Sequence, residues 1–107
     1  MFHEDPETYP FWTETPAEPG PTRIGLGEAF LETVGRDLIG LDFLVTRGEL
    51  ARGDTLVLLH TGEGAVRVII PFAAEILGVN PAVALNPRLL RQSPYFEGWL
   101  AEIRQCP

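Results

Sequence analysis

Apolar positions crowd most densely between Thr55 and Phe72, where the chain reads TLVLLHTGEGAVRVIIPF. Two aliphatic or β-branched runs, Leu56 to His60 and Ala65 to Ile70, flank Thr61-Gly62-Glu63-Gly64, and this arrangement predicts a β-hairpin whose reversal draws on glycines for φ > 0. Pro71 has no backbone N–H and stops the second strand. Short apolar runs between turn residues continue on both sides. Arg23 to Leu26 predicts a strand, Glu28 to Val34 a two-turn helix ended by Gly35, and Asp37 to Thr46 a strand with Gly40 placed for a bulge. Arg47-Gly48 and Ala51-Arg52-Gly53-Asp54 read as turns. Ala73 to Val79 is another strand, closed by Asn80-Pro81. Asn86 as N-cap with Pro87 at the first helical position predicts a helix through Gln92, and Trp99 to Arg104 the last strand. The fold class is therefore mostly β, an antiparallel sandwich or barrel with short helices near residues 28–34 and 87–92.

The pattern is different before residue 23. Pro6, Pro10, Pro16, Pro19 and Pro21 forbid a helix, and Glu4, Asp5, Glu7, Glu14 and Glu18 have no basic residue among them. Residues 1–9 are expected to form a flexible acidic arm and residues 10–107 a single domain, with Phe11 and Trp12 packed on it. A chain of 107 residues suffices for one core burying roughly 60–70% of the unfolded surface. Its 45% hydrophobic and 21% charged residues are a globular balance.

A net charge of −7 repels a phosphate backbone or an anionic membrane, so neither nucleic acid nor membrane is an expected partner. The start MFHEDPE lacks a basic or apolar leader pattern, and no apolar run approaches the ~20 residues of a membrane span, which makes the cytoplasm the expected location. The single cysteine, Cys106, excludes an internal disulfide and an all-cysteine zinc site. All eight basic residues are arginines, so no side-chain amine exists for acylation or Schiff-base formation.

Candidate chemistry is sparse. Met1-Phe2-His3 could form a square-planar copper or nickel chelate, as any chain with His at position three can. His60 and Glu63 flank the hairpin tip and have the chemistry for proton transfer or metal binding, but two ligands do not make a site. Arg52-Gly53-Asp54 reads as a tight turn, and Gly62-Glu63-Gly64 is too short to cradle a phosphate. Ser93 would have to meet His60 across the fold to act as a nucleophile, and Cys106 has no charged neighbour to activate it. Trp12, Tyr95, Phe96 and Trp99 read as core and sheet-packing residues. No catalytic and no metal-ligating set emerges, and the chain is not expected to be an enzyme.

Two stretches resemble the glycine cleavage system H protein, the lipoyl carrier of that multienzyme system. TRIGLGEAFLETVG, from Thr22 to Gly35, is similar to the family's A-R-[IV]-G-[IL]-T-x-x-A-x-x-x-L-G. NPAVALNPRLLRQSPYFEGWLAEI, from Asn80 to Ile103, resembles N-x-x-[LV]-x-x-N-P-x-L-[VI]-N-x-x-P-Y-x-x-G-W-[LI]-x-x-[IL], with matches at Asn80, Val83, Asn86, Pro87, Leu89, Leu90, Pro94, Tyr95, Gly98 and Trp99. The resemblance implies a lipoyl-domain-like barrel-sandwich hybrid of two small antiparallel sheets. Counting the family's E-S-x-K-x-x-[SA]-[DE]-[IVL]-x-[AS]-P back from Pro71 puts Glu63 in the lipoyl-lysine position and His60 in that of its acidic neighbour. At the amino end, H-E-W-V becomes Pro10-Phe11-Trp12-Thr13.

A carboxylate cannot form the lipoyl amide, and Arg67 cannot substitute because guanidinium stays protonated. Lipoate is thus the family's cofactor, but none is expected here. What the resemblance implies is an H-protein-like module without a lipoylation site, a non-catalytic binding or regulatory partner of glycine-cleavage or lipoate-handling enzymes or of a true H protein. His60, Glu63 and Arg67 are the docking candidates. The alternative is a small-molecule or metal-binding protein using the cleft and tip around His60 and Glu63.

Overall fold

Residues 2–4, 7–15, 20–34 and 38–105 are described by the structure, a computed structural model. In chain order they form β1 (Phe2–His3), β2 (Phe11–Glu14), β3 (Thr22–Leu26), α1 (Glu28–Val34), β4 (Leu38–Phe43), β5 (Gly48–Leu50), β6 (Thr55–Thr61), β7 (Gly64–Ile69), β8 (Ala74–Val79), α2 (Pro81–Leu85), α3 (Leu89–Gln92) and β9 (Ala101–Gln105). One sheet has the order β1-β2-β3-β9-β8-β5 and the other β4-β6-β7, all neighbours antiparallel. This is the mostly β, two-sheet fold expected from the sequence.

Period-two alternation makes the core. Ile24, Leu26, Ile76, Ala101 and Ile103 of the larger sheet and Leu41, Val57, Leu59 and Val68 of the smaller are buried in one apolar cluster, joined by Leu31 of α1, Val83 of α2 and Leu90 of α3. Each such side chain contributes roughly 1.5–3 kcal/mol over its exposed state. The expected bulge falls at Gly40, where the β4–β6 register shifts between Leu38 and Gly40.

Phe11 and Trp12 are buried, as expected, and the structure shows what receives them. Trp12 lies opposite Gly25 in the β2–β3 ladder, and its indole Nε1 donates to the Pro94 carbonyl at 2.9 Å. A Cβ on Gly25 would sit 2.4 Å from Trp12 Cζ2. Of residues 1–9, expected to be flexible, Phe2 and His3 pair with Glu14 and Thr13, and Glu4 accepts a hydrogen bond from the Tyr95 hydroxyl at 2.7 Å. Burial first, then that bond, pushes the Tyr95 hydroxyl above its ordinary value.

Three local expectations are corrected. Gly48, read as a turn residue with Arg47, instead opens strand β5 with Glu49 and Leu50, because Leu50 is drawn into the core and the backbone pairs with β8. Asn80-Pro81 opens a helix rather than only closing a strand: Asn80 is extended, its Oδ1 accepts from Ala82 N at 3.0 Å, and Pro81 enters α2 without needing a donor. Asn86 is the C-cap of α2, and α3 starts only at Leu89 after an uncapped turn. What favours Asn80 is tertiary: its Nδ2 donates to the carbonyls of Glu97 at 2.8 Å and Trp99 at 2.9 Å, which fixes the side chain in its capping pose.

Candidate functional site at the hairpin tip

The β6–β7 ladder runs from Thr55 and Ile69 to Thr61 and Gly64, which leaves Gly62 and Glu63 as a two-residue connection. Gly64, at the start of β7, has φ +131, in the region that favours glycine. Thr61 braces the reversal from both ends. Its Oγ1 donates to the Gly64 carbonyl at 2.8 Å and accepts from Glu63 N at 3.2 Å. Glu63 is exposed, and its carboxylate has no hydrogen bond or ion pair among the described residues.

His60 and Arg67 share the face of the smaller sheet turned from the core, since His60 lies opposite Ala65 and Arg67 opposite Leu58. His60 is the more occupied of the two: its Nε2 is 2.6 Å from Asp42 Oδ2. Arg67 is exposed with no ion pair among the described residues. Asp42 is the member that sequence reasoning missed. Its polar position between inward Leu41 and Phe43 is visible in the alternation, but its meeting with His60 depends on the Gly40 bulge, which sets Gly40 against His60 and Asp42 two pairs along, on the same face of the sheet.

A cleft of about 510 Å³ adjoins the tip, lined by Leu38, Ile39, Gly62, Asn86, Pro87 and Arg88. Of the tip residues it reaches Gly62, and neither His60 nor Glu63 lines it. No group of three or more His, Cys, Asp or Glu able to hold a metal occurs among the described residues. Asp54 is turned into its own loop, accepting from Ala51 N at 2.9 Å, and Ser93 Oγ accepts from Glu97 N at 3.2 Å, so the Arg52-Gly53-Asp54 and Ser93 readings resolve into loop hydrogen bonds. Phe96, read as a packing residue, is 72% exposed, whereas Trp99 is half-buried under the Arg23 guanidinium at 4.5 Å. Met1, Cys106 and the side chain of His3 lie outside the described residues.

Residues 5–106 match the family model for the glycine cleavage H-protein. The chain belongs to that family. The glycine cleavage system H protein of Prochlorococcus marinus strain AS9601 is 31% identical over 87 residues, which cover 81% of this chain and 67% of the relative. A glycine cleavage system H-like protein of Chlamydia pneumoniae is 32% identical over 83 residues, covering 77% and 70%. The crystal structure of an H protein from Mycobacterium marinum superposes with a TM-score of 0.76 at 22% identity, over 94% of this chain and 80% of that one, and establishes the barrel-sandwich fold.

Within that H-protein fold, several residues matching the family pattern do scaffold work. Asn80 ties α2 to the segment before β9, Pro94 receives Trp12, and Gly98 lets the backbone pass close enough to donate to the Ser93 carbonyl at 2.7 Å. A lipoyl group would need an amine at the tip. The residues do not fit one, since the tip presents the Glu63 carboxylate.

Proposed function

We propose that this member of the H-protein family carries no lipoyl group and acts by binding, as a non-catalytic partner of glycine-cleavage or lipoate-handling enzymes or of a true H protein. The observation that carries the reading is Glu63 at the two-residue tip of the β6–β7 hairpin, in a chain without a lysine. A carrier's chemistry needs a nucleophilic amine there, whereas docking needs only the hairpin's shape and charge. His60 with Asp42, Glu63 and Arg67 form the contact surface. The net charge of −7 suits a basic rim on the partner and would act chiefly on the association rate. We place this role in the cytoplasm; none of the described helices is long and apolar enough to cross a membrane.

Two measurements test it. Intact mass after co-expression with lipoate-attaching enzymes and lipoate should equal that of the unmodified chain, and a stoichiometric lipoyl adduct would overturn the proposal. Purified glycine-cleavage and lipoate-handling enzymes should be retained by the immobilised protein and released by a His60→Ala, Glu63→Arg double variant. Retention of a metal or small molecule with no enzyme would favour a ligand-binding role for the cleft instead.

A further inference from the structure

The edges of the two sheets are not equivalent. Among the described strands, β1 and β5 border the larger sheet and are two and three residues long. In the smaller sheet, β4 is broken by the Gly40 register shift. Strand β7 is neither short nor itself bulged: its ladder with β6 shifts register only at the far end, where β6 carries the extra residue Leu56 opposite Val68 and Ile69. It runs for six residues, Gly64–Ile69, pairs on one side with β6, and makes no backbone hydrogen bond on the other side among the described residues. In an antiparallel ladder the residues alternate in which edge they address, so closure of the hairpin at Thr61 and Gly64 turns the N–H and C=O of Ala65 and Arg67 outward. Such a row is ordinarily blunted by proline, bulges or charge. Here the charge is Arg67 alone, and no carboxylate of this acidic chain pairs with it among the described residues.

We propose that β7 accepts an added strand: an extended segment of a partner protein with a carboxylate opposite Arg67 and apolar side chains beside Val66 and Val68. Backbone pairing supplies the attraction, and the alternation supplies the sequence preference. Val68 is buried and Val66 half-buried, so the inner face of the new strand meets an apolar margin, while its outer face meets the unpaired guanidinium. A second copy of this chain fits less well. Each copy carries a net charge of −7, a centred antiparallel self-pairing would set Arg67 against Arg67, and one short ladder falls below the roughly 1,000 Å² of a stable interface. The inference deepens the binding role proposed above by naming the partner's chemistry, and rests on that role.

The capped peptide Thr-Val-Glu-Val-Thr is the probe, since its pattern reads the same in both directions. Amide NMR with hydrogen exchange should show protection at Ala65 and Arg67 at millimolar peptide. Replacing the peptide's Glu by Arg should weaken binding by up to about five-fold, as expected for a cross-strand charge pair. Arg67→Glu should reverse that preference, and Arg67→Pro, which removes an N–H not used by β6, should abolish binding without altering the β6 amides. Absence of protection at Ala65 and Arg67, or equal binding of the two peptides to the parent and to Arg67→Glu, would overturn the proposal. Concentration-dependent dimerisation that protects the same amides would also overturn it, in favour of self-pairing. If glycine-cleavage or lipoate-handling enzymes are retained while the peptide fails, only the edge assignment falls; if the peptide binds and none is retained, the proposed partners fall.

Discussion

Glu63 has a fixed backbone and a free side chain, the combination in which substitution costs least. Glu63→Lys should therefore change stability by no more than about 0.5 kcal/mol in chemical unfolding. It also supplies the missing amine. Lipoate incorporation on co-expression with attaching enzymes should become detectable by intact mass, helped by the Thr61 brace at the tip. Stability lost in this variant would mean that Glu63 is paired or buried. Gly25 is the opposite kind of residue. A methyl group there lands 2.4 Å from the Trp12 ring, and the ring is also anchored through Pro94, so Gly25→Ala should cost about 3 kcal/mol. Combining it with Trp12→Ala should cost less than the sum of the two, because the second change removes the atoms with which the first collides. Additive unfolding free energies would exclude this account.

At the scale of elements, the two Asn-Pro pairs separate local from tertiary causes. Asn80→Ala should cost about 3 kcal/mol, because it removes a helix cap and orphans the carbonyls of Glu97 and Trp99, while Asn86→Ala, at an exposed helix end, should stay within about 0.5 kcal/mol. Equal losses on thermal unfolding would contradict the assignment. The same contrast explains what could be read from the chain. The β6–β7 hairpin and α1 were legible because runs, glycines and a proline stop lie within a few residues of one another. α2 and β5 were not: Pro81–Leu85 is held by a capping side chain whose pose is set by carbonyls at 97 and 99, and Gly48–Leu50 becomes a strand only by pairing with Ala74–Ile76. The tip residue could be counted from Pro71, but the His60–Asp42 contact could not, since it depends on how a bulge sets the register of another strand.

For the molecule as a whole, the amino-terminal segment divides at about residue 9. Deleting residues 1–7 removes the two-residue β1 ladder and the exposed Glu4–Tyr95 bond but leaves the Thr8 hydrogen bonds to Phe11, and should cost about 0.5 kcal/mol, whereas Trp12→Ala should cost about 3 kcal/mol or more. Unfolding curves of the two variants test this division, and a neutral Trp12→Ala would detach the whole segment from the domain. The strand order of the larger sheet has a consequence for biosynthesis. β9, at residues 101–105, lies between β3 and β8, so the last of the described strands joins the two halves of its sheet and pairs with β3 some eighty residues before it. Until β9 leaves the ribosome, β3 and β8 each have an unpaired flank, while the β6–β7 hairpin can close as soon as it emerges. The order of synthesis thus lets the tip form early and leaves the larger sheet open to misassembly until β9 has been made.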